Sequence, residues 1–258
     1  HIMDFISNGQ HPNLFVHDNG LLYANGRDRA ITWMNSQSDG RPIVPRSGYI
    51  VEFNALWYNA LKFFEQLIEE NGQEEYAGLK DEVGKLAENV ARSFKEVFLN
   101  EYGYLLDYVD GQMMDWSVRP NQLFAIAFDY SPLDMKERKS VLDICTKELV
   151  TPKGIRSLSP QSGGYNPMYV GPQTQRDLAY HQGTAWPWLT GFYLEAYLRV
   201  YRMSGVNYIE RKLIGFEEEL FYHCIGTIPE LFDGNPPFHG RGAISFAMNV
   251  SGILRALR

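Results

Sequence analysis

Tyr180-His181-Gln182-Gly183-Thr184-Ala185-Trp186-Pro187-Trp188-Leu189-Thr190-Gly191 sets a His, a Gln and two Trp around a Gly and a Pro, at the mouth of an apolar segment. Two readings fit. Indole faces can cover the apolar faces of sugar rings while His and Gln hydrogen-bond the hydroxyls. The same residues can instead form the buried aromatic start of a helix.

Working outward, apolar periodicity predicts a helix over residues 182–203 and another over 206–224. A loop over 226–242 then leads to a last helix ending at Leu257. On the upstream side, 151–180 reads as one long loop with Gly163-Gly164, and a loop of that length inside a compact domain usually has a job. A helix is expected over 132–149, and another after Arg119-Pro120, with Pro in the first turn. Residues 104–108 read as a short extended piece able to pair as a hairpin arm. The clearest helix carries Leu79, Val83, Leu86, Val90, Phe94 and Val97 at steps of three and four. Before it, a helix from Val51 places Leu56, Ala60, Phe63 and Leu67 on one face and stops at Asn71-Gly72. Residues 1–49 form an irregular segment with turns at Asn19-Gly20, Asn25-Gly26 and Asp39-Gly40. The sum is a single all-α domain over 1–258, with about seven helices and long polar, aromatic loops between alternate pairs. Stacked helix pairs make bundles, solenoids or α/α toroids, and long loops on one rim favour a toroid with a cleft.

The chain has 258 residues, 45% hydrophobic and 14% aromatic, so it can bury a sizeable core. Its net charge is −7 and it has no Lys/Arg run, which argues against a nucleic-acid partner. No apolar run suits a membrane span. Cys145 and Cys224 lie in apolar-patterned segments and read as two buried thiols rather than a disulfide. No metal-binding, phosphate-loop or esterase motif is present, so neither metal nor cofactor is expected. The opening His1-Ile2-Met3 reads as an expression-tag remnant.

Three further clusters carry candidate chemistry. Glu230 stands in Pro229-Glu230-Leu231-Phe232-Asp233-Gly234, where a loop can hold a carboxylate rigidly; an ordinary turn Glu is the other reading. Thr32-Trp33-Met34-Asn35 runs on to Asp39, Arg46 and the helix start with Glu52, Asn54, Trp57 and Asn59. There Glu52 can simply favour the first turn's dipole. Asp115-Trp116 leads into Arg119, Asn121 and Gln122, which can bind sugar hydroxyls or cap a helix.

Taken in order, Thr32-Trp33-Met34, Pro45-Arg46, Val51 to Asn59, Arg119-Pro120-Asn121-Gln122, Tyr180 to Trp188, Pro229 to Gly234, and Arg241-Gly242-Ala243-Ile244 with Ile253 to Leu257 resemble the C-terminal amylo-α-1,6-glucosidase domain of glycogen debranching enzymes. The resemblance implies an (α/α)6 toroid, of which this chain would be the second half. It implies inverting hydrolysis of the α-1,6-linked glucosyl stub on glycogen or a related α-glucan. Glu230 falls on the general-base position. The general-acid position, the Asp of a Thr-Trp-Met-Asp motif, is Asn35 here, and an amide cannot donate a proton as a carboxylic acid does. Three readings follow: Asp39 or Glu52 supplies the acid, the acid position lies elsewhere, or the domain is a weak or inactive relative. Trp33, Arg46, Trp57, Arg119, Asn121, His181, Gln182, Trp186 and Trp188 are the expected substrate-binding residues. Half a toroid exposes apolar helix faces, so self-association or pairing with a missing N-terminal half is expected. Because glycogen is an intracellular store, the resemblance points to the cytoplasm. The alternative is a non-catalytic α-glucan-binding relative, which Asn35 and the missing helices favour.

Overall fold

The structure, a computed structural model, describes residues 2–72 and 76–257. Ten α-helices occur among the described residues, from α1 (Ile2–Ser7) onward. Two of them set the framework of the first half. In α2 (Val51–Asn71), Val51, Ala55, Leu61 and Ile68 are buried, and Gly72 ends the helix in the left-handed region at φ 58°. In α3 (Ala77–Phe98), Val83, Ala87, Val90, Phe94 and Phe98 form the buried stripe that a period of 3.6 requires. The two helices pack along each other, with Gly84 facing Glu65 and Lys80 paired to Glu69.

The single turn α4 (Phe124–Ala127) follows a 3-10 turn started by Pro120, and every residue of both is buried. Helix α5 (Met135–Leu149) opens on a capping box: Glu137 N–H donates to the Asp134 carboxylate, and Asp134 N–H to that of Glu137. A short α6 (Gln173–Ala179) breaks the long loop. Helix α7 (Trp188–Tyr201) is the hub. Seven of its first nine residues are buried, as in a helix enclosed on most sides. It leads through a 3-10 turn to α8 (Val206–Ile214), the single turn α9 (Glu219–Tyr222) and α10 (Ala247–Arg255). Helices α7 and α10 meet backbone to backbone, since a Cβ on Gly191 would collide with the Gly252 carbonyl oxygen.

The all-α expectation is corrected here. Short strands build two antiparallel five-stranded sheets. The first runs in the order β1 (Leu14–Val16), β2 (Leu22–Ala24), β5 (Gly48–Ile50), β6 (Tyr108–Asp110) and β7 (Met113–Met114). Residues 1–49 are therefore not merely irregular. Between β2 and β5 lies a separate hairpin, β3 (Gln37–Ser38) with β4 (Arg41–Pro42). The second sheet runs β12 (Gly240–Arg241), β11 (Leu231–Phe232), β10 (Ala185–Trp186), β9 (Gly154–Arg156) and β8 (Val150–Thr151). Two helix expectations change with it. Residues 182–187 are not helical, because β10 takes Ala185 and Trp186 into the sheet and α7 begins only after Pro187. The helix expected over 206–224 breaks after Ile214, at Gly215.

These sheets place the site. Ala185 pairs with both Phe232 and Arg156, so the Tyr180–Trp188 stretch lies beside the Glu230 loop. Ile50 pairs with Tyr108, which brings Asp107 against the start of α2. Both cysteines are free, but only Cys145 is buried; Cys224 is exposed, contrary to the expectation. No described helix is long and apolar enough to cross a membrane.

Candidate active site

Glu230 sits immediately before β11, and its backbone is pinned from both sides. Its N–H donates to Ala243 O at 2.9 Å. The Asn249 amide, fully buried on α10, donates to Pro229 O at 2.6 Å and Glu230 O at 2.7 Å. The same Asn249 accepts from Trp188 N–H at 3.0 Å, tying the Glu230 loop to the start of α7. The Glu230 carboxylate then accepts the Tyr180 hydroxyl on Oε1 and Ala243 N–H on Oε2 at 2.8 Å. Burial, and after it the hydrogen bond to Glu230, push the Tyr180 phenol well up. Tyr180 thus stays a donor to the carboxylate. Glu230 opens into a shallow cleft of about 490 Å³, lined with it by Tyr169, Arg176, Arg241 and Gly242. Asp233, fully buried, braces that lining by accepting Tyr169 N–H at 2.8 Å and the Arg241 guanidinium at 2.8 and 3.0 Å.

Behind Tyr180 lies a knot of rings. Tyr180 packs edge-on against Trp186 at 4.9 Å, and His181 stacks on Trp186 at 5.5 Å with 11° between planes. Trp33 meets His181, Trp186 and Trp188 edge-on at 5.2–5.6 Å, the edge-to-face geometry aromatic pairs prefer. His181 is fully buried. Burial, helped by Arg119 and Arg46, pushes its pKa down to about 3, so the ring is neutral. Its Nδ1 pairs with Ser36 Oγ at 3.1 Å, while Nε2 is buried with no protein partner.

Beneath the rings runs a buried polar chain. Glu52 takes both terminal nitrogens of Arg46, and Asp107 takes Arg46 Nε at 2.7 Å. Asp107 also accepts from Asn121 Nδ2 at 2.7 Å, and Asn121 Oδ1 accepts Trp33 Nε1 at 2.7 Å. Arg119 donates to the carbonyls of His181 at 2.9 Å and Ser157 at 3.1 Å, and to Gln182 Oε1 at 2.8 Å. Burial pushes the Asp107 carboxyl up to about 6, against the pull of Arg46 and Arg119, so at neutral pH it remains a carboxylate. Two guanidinium groups thus face two carboxylates inside the protein, the paired arrangement a buried charge needs.

The expected site residues divide accordingly. Trp33, Asn121, Arg119, His181, Gln182 and Trp186 gather in one cluster beside Glu230. Of these, Trp33 and Gln182 are partly exposed, whereas Trp186 and Trp188 are buried. Trp57 is corrected to a core residue: it is 3% exposed and its indole N–H donates to Gly20 O. Arg46 and Glu52 are likewise turned inward. With both oxygens engaged by Arg46, Glu52 has no reach toward the cleft. Asn35 is exposed between the buried Met34 and Ser36. Asp39 is exposed at the β3–β4 turn with φ 49°. That hairpin packs on α6, whose Arg176 lines the Glu230 cleft. Sequence reasoning missed Asp107, Asn249 and Asp233, and it did not assign the Tyr180 hydroxyl. Asp107 had a signal, a lone acid within Leu105-Leu106-Asp107-Tyr108-Val109; Asn249 had none.

A family model described as amylo-alpha-1,6-glucosidase matches residues 1–255. The chain belongs to the amylo-α-1,6-glucosidase family. A curated relative of this family member is the glycogen debranching enzyme of Saccharomyces cerevisiae strain S288c, 27% identical over 69% of the chain and 14% of that enzyme. The chain thus spans about a seventh of that relative. Two solved structures share the fold. One is neutral trehalase Nth1 from Saccharomyces cerevisiae (TM-score 0.60, 15% identity, 81% of this chain and 37% of that one). The other is a GH63 mannosylglycerate hydrolase from Thermus thermophilus (TM-score 0.54, 12% identity, 81% and 44%). At these identities the likeness to the solved structures concerns the fold alone. Family membership places the chain among glycoside hydrolases.

Proposed function

We propose that the chain carries the base-bearing half of an inverting glucosidase that removes α-1,6-linked glucosyl stubs from glycogen or a related α-glucan. The observation that carries this reading is the Glu230 carboxylate, held on both oxygens at the edge of a cleft. Family membership and the debranching relative give the substrate class. Glu230 is the general base: it accepts a proton from a water as that water attacks the anomeric carbon from the face opposite the leaving oxygen. Inversion needs room for that water, so the acid stands on the far side, at a carboxyl separation of roughly 6.5–9.5 Å. Glu52 is unsuited to the acid role. Asp39, on the hairpin that packs against α6, is the candidate this chain offers, beside the vacated acid position at Asn35. Trp33 and Gln182, the partly exposed members of the cluster, are the groups proposed to meet the sugar, and His181 supports them from behind.

We read the architecture as the second half of an (α/α)6 toroid, as the trehalase and GH63 neighbours support. Exposed Phe63 and Leu67 on α2, and Ile214, Leu254 and Leu257 at the other end of the chain, are the faces that an upstream half or a second copy would cover. A second reading, a glucan-binding relative without turnover, is favoured by Asn35 and by the half-toroid reading. The test is proton NMR of the sugar first released from a singly α-1,6-glucosylated maltooligosaccharide. Release of β-glucose, lost in Glu230→Gln, supports inverting hydrolysis with Glu230 as base. Release of α-glucose, or undiminished release by Glu230→Gln, contradicts it.

A further inference from the structure

We propose that Tyr102, Tyr104 and Trp116 form a second carbohydrate site, a surface platform on which an α-glucan chain lies outside the Glu230 cleft. The proposal rests on the α-glucan reading above but not on turnover. Tyr102 is 71% exposed and Trp116 42%. Tyr102 and Tyr104 lie within 19° of parallel, with centroids 6.4 Å apart. Trp116 stands against Tyr102 at 6.3 Å and 72°. Tyr104 backs Tyr102 in near-parallel stacking, and Trp116 stands upright against Tyr102. Two exposed rings thus meet at an angle that suits a sugar chain presenting apolar ring faces on one side and hydroxyls on the other.

The platform is rigid, although two of its rings reach solvent. Asn100 Oδ1 accepts the N–H groups of both Tyr102 and Tyr104, at 3.0 and 3.3 Å. Asn100 N–H and Tyr104 O close the same turn at 3.0 Å. The Tyr104 hydroxyl donates to Trp116 O at 3.1 Å, joining the two segments. A surface ordered before the ligand arrives loses less entropy on binding. The solvent-facing aromatics Phe221 and Tyr222 differ. They lie on the single turn α9 among exposed Ile214 and Ile225, and among the described residues no side-chain hydrogen bond joins them to a second aromatic segment.

The platform is also tied to the site. Asp115 exchanges backbone hydrogen bonds with Asp107 and Tyr108 at 2.9 and 3.0 Å. Asp107 is the hub that orients Asn121 and Trp33. Arg119, three residues after Trp116, holds His181 and Gln182. A glucan on the platform is therefore held in a fixed relation to the cleft.

The test is calorimetric titration with β-cyclodextrin, a closed α-1,4-glucan with no branch to cleave, together with co-sedimentation with glycogen. Wild-type protein binds both. Tyr102→Ala/Trp116→Ala weakens β-cyclodextrin binding about tenfold or more, with an unchanged melting temperature and unchanged glucose release from a short branched oligosaccharide. Phe221→Ala, an equally exposed aromatic, leaves binding as in wild type. Three results each overturn the proposal: wild-type protein that binds neither probe, a double variant that binds like wild type, and an equal loss with Phe221→Ala. Failure of the hydrolase reading is recognised separately, by glucose release that survives Glu230→Gln, and it leaves these titrations unmoved.

Discussion

Glu52 is an acid at a helix start beside the candidate site, and the structure makes it a structural residue. Glu52→Gln tests that assignment. Arg46, Arg119, Glu52 and Asp107 are each no more than 5% exposed, and their charges cancel. Removing the Glu52 charge leaves one buried guanidinium unbalanced. Breaking a buried pair from one side costs about 3–5 kcal/mol. A chain of this length shifts its melting temperature by roughly 2 °C per kcal/mol, so the midpoint should fall by about 6–10 °C in calorimetry. Arg46→Met should cost a similar amount. The double variant Arg46→Met/Glu52→Gln restores neutrality and should cost less than the sum of the singles, by about 2 kcal/mol. Turnover per folded molecule, measured well below the midpoint, should stay within about threefold of wild type, as no transition-state contact is lost. The reasoning is refuted if Glu52→Gln melts like wild type yet has no turnover, for that is how a catalytic acid behaves.

Three further outcomes follow from the same geometry. The His181 pKa falls from 6.5 unfolded to about 3 folded, so between those values the unfolded chain binds more protons and stability rises with pH. Going from pH 7 to pH 5 should cost about 2 kcal/mol through this residue, and denaturant titrations of His181→Asn should lack that loss. Tyr180→Phe keeps the ring packing and removes the donor to Glu230; kcat should fall roughly tenfold or more with KM little changed. In a Glu230→Gln background the same change should do almost nothing more, whereas an additive loss would point to a merely structural ring. Asn35→Asp places a proton donor at the proposed acid position and should raise kcat, by up to about a hundredfold; no gain in steady-state assays would leave Asp39 as the proposed acid.

The parts legible in the sequence are those with a long period. Helices α2 and α3 exceed five turns, and Asn71-Gly72 marks their boundary. The α3 stripe is the buried one, whereas in α2 the face read from Leu56, Phe63 and Leu67 is exposed and Val51, Ala55, Leu61 and Ile68 are buried instead. Apart from the extended piece at 104–108, where Leu105 and Tyr108 do pair, the sheets were not legible because their strands are two or three residues long, too short for alternation to register. For the same reason Ala185 and Trp186 looked like helix: nothing local separates a two-residue strand from the helix that follows it. In the site, the motifs appeared in order, but their spatial roles did not. Trp186 and Trp188 looked like sugar platforms because indoles serve cores and cleft walls equally; burial alone separates those uses. Asp107, Asn249 and Asp233 act through partners 8 to 64 residues away, and single-sequence spacing carries no trace of such contacts.

The most direct test of the central claim is glucose release from a singly α-1,6-glucosylated maltooligosaccharide, by this chain and by its Glu230→Gln variant side by side. The account predicts release by the chain and loss of that release in the variant, with oligosaccharide affinity retained. Equal release by both proteins would contradict it.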